Sequence, residues 1–328
     1  MTGSVTPRAV GERLGLDRLP ARVRSWLEWE LGGRVVSATT QVGGMSPGPA
    51  ARIVLDTGER YFVKAVGTEL NRHTPRLFRH ELAVLRALPR ADYRASLVAS
   101  YDDGDWVAMV LDDVDGRHPD LADPGALAAA RDAVRAQSRE LTPDPVRVEG
   151  ETLAGSVRRW HAKIAATGTD ERALLPSWWR EHEPELLARI ATLPDRLPPE
   201  SWCHFDVRDD NLLQRPDGSV VVVDWGMSRS GPPWADEVFL DLHDVALPVF
   251  DARVAALPRY GVASDDGRES AVTDLLLALG TTLALSAHGP SPAGLPRLMS
   301  FRRAESGRML AGAARRLGLA DGTPMPAV

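Results

Sequence analysis

The chain has 328 residues, 44% hydrophobic and 26% charged, a balance that excludes disordered and fibrous classes and leaves a globular protein of about two domains. A formal net charge of −6 argues against the basic face that a nucleic-acid backbone demands, so no nucleic-acid partner is expected. Of 39 basic residues only Lys64 and Lys163 are lysine, and neither stands in the Gly-Lys-Ser/Thr context of a Walker A loop, which excludes P-loop NTPases.

The lone cysteine, Cys203, allows no intrachain disulfide or cysteine metal cluster and fits a reducing compartment. The N-terminus shows no basic segment running into an apolar stretch, so a signal peptide is not expected and a cytoplasmic location is. The longest uncharged apolar run, residues 275–288, falls short of the about 20 residues that a membrane span needs. It reads as a core helix, and no membrane association is expected.

In chain order, residues 1–33 read as a helical segment with Leu14, Val23, Trp26, Leu27 and Leu31 on an interrupted apolar face, ended by Gly32 and Gly33. Residues 34–115 read as a small α+β lobe. It begins with a strand over 34–42 and a loop containing Gly43, Gly44, Ser46 and Gly48. A hairpin of 51–55 and 61–66 follows, turned by Asp56-Thr57-Gly58-Glu59. A helix over 75–88 and a strand over 106–111 complete the lobe. Residues 116–320 read as mainly helical, with helices over 126–141, 153–166, 179–193, 234–245, 270–287 and 300–317. One β island, 202–225, interrupts them, with short strands 212–214 and 219–223 around the turn Pro216-Asp217-Gly218. Residues 321–328 hold two prolines and read as a loose tail.

Chemistry concentrates in the β island. His204-Phe205-Asp206-Val207-Arg208-Asp209-Asp210-Asn211 is followed, thirteen residues after Asn211, by Asp224-Trp225-Gly226. Asn211 and Asp224 offer hard oxygen ligands of the kind Mg²⁺ takes, one or two from protein and the rest from phosphates and water. Asp206, five residues before Asn211, stands beside them, where a carboxylate can orient a hydroxyl and accept its proton.

His-x-Asp-x-x-x-x-Asn followed by Asp-x-Gly resembles the catalytic and metal-binding loops of the protein-kinase-like fold, and the branch it is most similar to is the aminoglycoside phosphotransferase and choline kinase-like family. The resemblance extends over about residues 34–245. It implies an α+β, bilobal fold with a small β-rich N-terminal lobe and a larger, mainly helical C-terminal lobe. It also implies a kinase acting on a small-molecule hydroxyl, with ATP or GTP and Mg²⁺, as monomer or homodimer. Residue by residue, Lys64 in Tyr-Phe-Val-Lys-Ala-Val matches the strand lysine on the nucleotide phosphates, and Glu81 its ion-pair partner. Gly43, Gly44, Ser46 and Gly48 match the nucleotide loop, and Leu111, Asp112, Asp113 and Val114 the adenine-contacting linker. Asp206 matches the catalytic aspartate, with Asn211 and Asp224 as metal ligands and His204 as scaffold.

Arg208 is expected either to neutralise transferring phosphoryl charge or to pair with Asp209 or Asp236. The acidic group Asp209, Asp210, Asp236, Glu237, Asp241 and Asp244 reads two ways: a site for an amine-bearing acceptor such as an aminoglycoside, contacted by Asp209, Asp236, Glu237 and Asp241, or solvated helix carboxylates. Departures from the family pattern are the nucleotide loop, which is not Gly-x-Gly-x-x-Gly, and Trp225 in place of Phe. Residues 227–233 are too few for a phosphorylatable activation segment, which disfavours a protein substrate. Gly44-Met45-Ser46-Pro47-Gly48 also satisfies Gly-x-Ser-x-Gly, but a serine-hydrolase elbow needs strand before and helix after, and strand follows here. A catalytically silent nucleotide-binding regulator is the reading from another class.

Overall fold

The computed structural model describes residues 13–41, 44–146 and 152–319. The expected loop position Gly43 and the tail 321–328 lie outside the described residues.

The chain enters through a short turn that buries Leu16 and Leu19, then α1 (Ala21–Leu31), whose Val23 and Leu27 point inward. Pro20 precedes α1, fixing an extended φ just before the first helical residue, so the helix starts there and not earlier. Five strands follow: β1 (Val35–Thr40), β2 (Ala50–Leu55), β3 (Arg60–Gly67), β4 (Leu97–Asp102) and β5 (Trp106–Asp112), with α2 (Thr74–Ala87) between β3 and β4. They pair antiparallel in the order β1-β2-β3-β5-β4.

Strand periodicity sorts this sheet into two faces. Val63 and Ala65 of β3 and Trp106, Ala108 and Val110 of β5 join α1 in one core. Val66 of β3 and Val107, Met109 and Leu111 of β5 face α2 through Phe78, Leu82 and Leu85. β5 is thus covered on both sides and reads as a continuous apolar run. Lys64, with even-numbered Phe62 and Val66, lies on the α2 face. That second core continues into the large lobe through Leu141, Val146, Trp202 and Trp225.

The large lobe is helical: α3 (Pro124–Glu140), α4 (Leu153–Ala165), α5 (Thr169–Arg172), α6 (Ser177–Glu181), α7 (Glu183–Thr192), α8 (Ala235–Leu240), α9 (Pro248–Ala255), α10 (Arg268–Ser286) and α11 (Leu298–Leu317). Short strands β6 (Ser201–Cys203) and β9 (Arg229–Gly231) pair with each other, and β7 (Leu212–Gln214) pairs with β8 (Val220–Val222). The mixed α+β, bilobal architecture is the one expected. Two expected helices are corrected: 179–193 breaks at His182, where Pro184 opens α7, and 234–245 keeps only α8 as helix, its last residues tightening into a 3₁₀ turn. α10 is buried along most of its length, as the uncharged run predicted. No helix among the described residues is long and apolar enough to cross a membrane.

Candidate active site

A cleft of about 2200 Å³ opens between the sheet and the helical lobe. Its upper wall includes Lys64, whose Nζ lies 2.6 Å from Glu81 Oε2 on α2 and 3.1 Å from Asp224 Oδ1. The ammonium also sits 5.3 Å from the Phe78 ring centre. Burial works against a charged Lys64, but its two carboxylates outweigh burial and raise its pKa. Glu81 is 1% exposed, and its second oxygen accepts the Trp225 N–H at 3.2 Å. One carboxylate therefore ties strand β3 to the segment carrying Asp224.

Asp224 adopts a left-handed backbone, φ 69°, just after β8. That conformation turns its side chain back toward Lys64. Desolvation would raise the Asp224 pKa; the charge and hydrogen bond of Lys64 prevail and leave it lowered. Trp225 behind it is buried and meets the His204 ring edge-on at 4.9 Å between centres. Trp225 thus fills the shared core beneath the site.

Asp206 follows β6 after a second left-handed residue, Phe205, φ 64°. Strained backbone of this kind costs about 1–3 kcal/mol and needs bracing. Buried Asp236 supplies the brace, its carboxylate accepting the N–H of His204 at 2.8 Å and of Phe205 at 2.9 Å. Gln137 donates to the same carboxylate at 3.0 Å. His204, fully buried, accepts the Asp206 N–H on Nδ1 and donates from Nε2 to the Val223 carbonyl at 3.0 Å; it is the scaffold residue expected. Asn211 Nδ2 donates to the Asp206 carbonyl at 2.8 Å and to its Oδ2 at 2.9 Å. Burial raises the Asp206 pKa, partly offset by the Arg208 guanidinium.

Arg208 lies 3.6 Å from Asp206 Oδ1 and forks onto Asp210 at 3.0 and 3.1 Å. Its partner is Asp210, not Asp209 or Asp236. Asp206, Arg208, Asp209, Asn211, Asp224, Lys64, Glu81, Gly44, Ser46, Leu111, Asp112, Asp113 and Val114 all line the one cleft. Asp113 is not free there: Arg52 and Arg60 hold its carboxylate at 2.6 and 3.0 Å. Asp112 Oδ2 accepts the Ser96 N–H at 3.0 Å.

At Gly48 a Cβ would lie 1.8 Å from the Ala65 carbonyl oxygen, so glycine lets the loop pack on β3. Asp236, Glu237 and Asp241 are corrected as acceptor contacts. They are 1%, 0% and 2% exposed and lie off the cleft because arginines of α3 and other partners bury them. Arg135 and Tyr260 hold Glu237 at 2.9 and 3.0 Å, and Arg131 and Arg253 hold Asp241 at 2.8 and 3.1 Å.

Two contributions escaped the sequence. Arg13 lines the cleft beside Gly44, anchored by the Leu14 N–H on the Pro47 carbonyl at 3.2 Å. From the far end of the chain, α11 brings Phe301 to 5.0 Å from the Arg208 guanidinium. The spacing of Leu298, Phe301, Arg302 and Glu305 at intervals of three and four was a signal for a shared helix face, but not for which cleft that face meets.

A model of the phosphotransferase enzyme family matches residues 49–270, more than half the chain, a range that includes Lys64, Glu81, Asp206, Asn211 and Asp224 but not Arg13, Gly44, Ser46 or α11. The chain belongs to the phosphotransferase enzyme family. As the residue pattern implied, it is therefore an enzyme. Among solved structures, this phosphotransferase is similar to choline kinase LicA from Streptococcus pneumoniae, with 13% identity over 90% of this chain and 98% of that one and a TM-score of 0.62. It is similar to a thermostable mutant of aminoglycoside phosphotransferase APH(4)-Ia in complex with ADP and hygromycin B, with 14% identity over 92% and 100% and a TM-score of 0.58. It is also similar to a choline/ethanolamine kinase family protein from Mesorhizobium loti, with 16% identity over 92% and 95% and a TM-score of 0.56. These likenesses establish the bilobal kinase-like fold. No curated protein matches the phosphotransferase by sequence.

Proposed function

We propose that this phosphotransferase moves the γ-phosphoryl group of ATP to a hydroxyl of a small molecule. The observation that carries the reading is the convergence on one cleft of Lys64, bridged to Glu81 and Asp224, with Asp206, held by Asn211. ADP in the structure similar at TM-score 0.58 supports nucleotide binding here.

The two residues proposed as metal ligands fit Mg²⁺. Asn211 spends its N–H group on Asp206, which leaves its carbonyl oxygen; Asp224 spends Oδ1 on Lys64, which leaves Oδ2. Two hard oxygens with phosphate and water completing the shell suit this ion. Bound there, Mg²⁺ would neutralise phosphate charge.

This chain's own residues supply positioning and proton acceptance. Lys64 holds phosphate oxygens with a compact ammonium kept charged by its carboxylates. Asp206 orients the acceptor hydroxyl. As that oxygen bonds to the γ-phosphorus and the bond to the bridging oxygen breaks, the hydroxyl proton passes to the Asp206 carboxylate. Arg208, within 3.6 Å of Asp206, places a fixed positive charge beside the transferring group.

The amine-bearing acceptor suggested by the acidic cluster loses three of its four contacts, which are buried, Glu237 and Asp241 on arginines and Asp236 on Gln137 and two backbone N–H groups. The test is a mass-spectrometric screen for phosphate gain across sugars, choline-like alcohols, aminoglycosides and hydroxy acids, repeated with Asp206→Ala. The variant is expected to lose about 10²–10⁴-fold in turnover while keeping its affinity for ADP. Unchanged turnover would overturn the assignment.

A further inference from the structure

Resting on phosphotransfer at Asp206, we propose that the acceptor is a hydroxylated molecule with an apolar skeleton and an anionic group, carboxylate or phosphate, that pairs with Arg302. The cleft beyond Asp206 is walled by α11, whose Leu298, Phe301, Arg302 and Glu305 line it at helical spacing. Facing them are Leu279 and Leu283 of α10, one turn apart. This stripe begins beside the reacting carboxylate, because Phe301 stacks under Arg208 at 5.0 Å and Arg208 reaches Asp206. The surface offered to an acceptor is therefore mainly hydrocarbon and aromatic.

Its carboxylates are already committed. Glu305 pairs with Arg308 at 2.8 Å, Asp244 with Arg253 at 2.8 Å, and Asp210 with Arg208 at 3.0 Å. Asp209 is engaged as well. Among the described residues, an ammonium seated between α10, α11 and Arg208 would find Glu305, Asp244 and Asp210 each already paired with an arginine.

Arg302 is the opposite case. Among the described residues it has no carboxylate partner, and its one hydrogen bond is a long one, 3.4 Å, to the Ser286 carbonyl at the end of α10. Burial alone acts on its guanidinium, lowering the pKa. A half-buried arginine without an acid is a costly arrangement, and a bidentate oxyanion on the ligand would offset that cost. A cationic acceptor would meet repulsion at the same spot.

The experiment uses the full chain with Mg·ATP and matched acceptor sets: one hydroxylated apolar skeleton carrying a carboxylate, a phosphate, a neutral amide or an amine. The anionic members are expected to show kcat/KM about ten- to hundredfold above the amide, with the amine lowest. Arg302→Met, which keeps the stem's packing, is expected to erase that preference, raising KM for the anionic members while ADP affinity and Tm hold. Arg302→Lys should restore part of it. A preferred amine, or a preference that survives Arg302→Met, overturns the anionic acceptor and leaves phosphotransfer standing. No transfer to any member, with nucleotide demonstrably bound, overturns both.

Discussion

Lys64 shows why one residue type, and not merely one charge, is needed. Its Nζ fits between two carboxylate oxygens at 2.6 and 3.1 Å and above Phe78, with 9% of the side chain exposed. The planar guanidinium of arginine is wider and carries its donors in a fixed fork, so Lys64→Arg must push Glu81 or Asp224 aside. Although the chain uses arginine almost everywhere else, this exchange is expected to lower kcat/KM for ATP at least about tenfold, corresponding to a loss of about 1.4 kcal/mol in transition-state binding. Steady-state kinetics at saturating acceptor measure it; an unchanged value would show that the site does not require a compact ammonium. Asp206 carries a pH consequence. As proton acceptor it must be ionised, and burial raises its pKa. Turnover should therefore fall on the acid side at a pH above the ordinary aspartate value of 3.8, as protonation removes the acceptor. A pH–rate profile flat down to that value would contradict the role. At Gly48, Ala would place a methyl 1.8 Å from the Ala65 carbonyl oxygen; the expected cost is about 1–3 kcal/mol, read as a drop in Tm of several degrees.

Between elements, the device that sets the geometry of Asp206 is the contact of α8 with the turn after β6. Asp236 accepts two consecutive backbone N–H groups, one from a residue at φ 64°. Asp236→Asn presents a donor where acceptors are required. It is expected to cost about 1–3 kcal/mol and to lower kcat while KM for ATP is nearly kept. Equal kcat with lowered Tm would mean that the brace serves stability alone. Elements also explain what the sequence made legible. The turn-flanked hairpin, the periodic helices and the His204–Asp224 stretch were readable because their signals are local. β4 was not: it is a half-exposed edge strand ending in Ser100, Tyr101 and Asp102, without a clear alternation. α9 spans only eight residues, too few for periodicity. β6 and β9 are three residues each, and Arg229-Ser230-Gly231 carries no strand signature. Asp236 and Glu237 of α8 and Asp241 just after it were misread because their partners Gln137, Arg135 and Arg131 come from α3, about a hundred positions earlier. Phe301 and Arg302 were missed for the same reason.

Across the whole molecule, one core runs under the cleft. Val66, Phe78 and Met109 of the small lobe pack with Leu141, Trp202 and Trp225 of the large one. A nucleotide held by Lys64 from above and Asp224 from below would tie the lobes a second time. Mg·ADP at one hundred times its Kd is therefore expected to add about 2.7 kcal/mol, shifting a single unfolding transition upward. Lys64→Met should shrink that shift. Two separate transitions, only one of them moved by nucleotide, would show that the shared core does not couple the lobes.

β3 holds Lys64 by parity: even-numbered residues face α2, odd-numbered ones α1. This makes the strand a two-position selector whose setting depends on counting from the hairpin. Lengthening the Asp56–Glu59 turn should be tolerated, since Gly58 at its tip is open to solvent space. Adding or removing one residue between Arg60 and Lys64 instead exchanges the two faces, burying the ammonium against α1 and presenting Val63 or Ala65 to the cleft. Insertion scanning along this hairpin should accordingly yield an abrupt boundary in function at the first residue of the strand, and not a gradual decline.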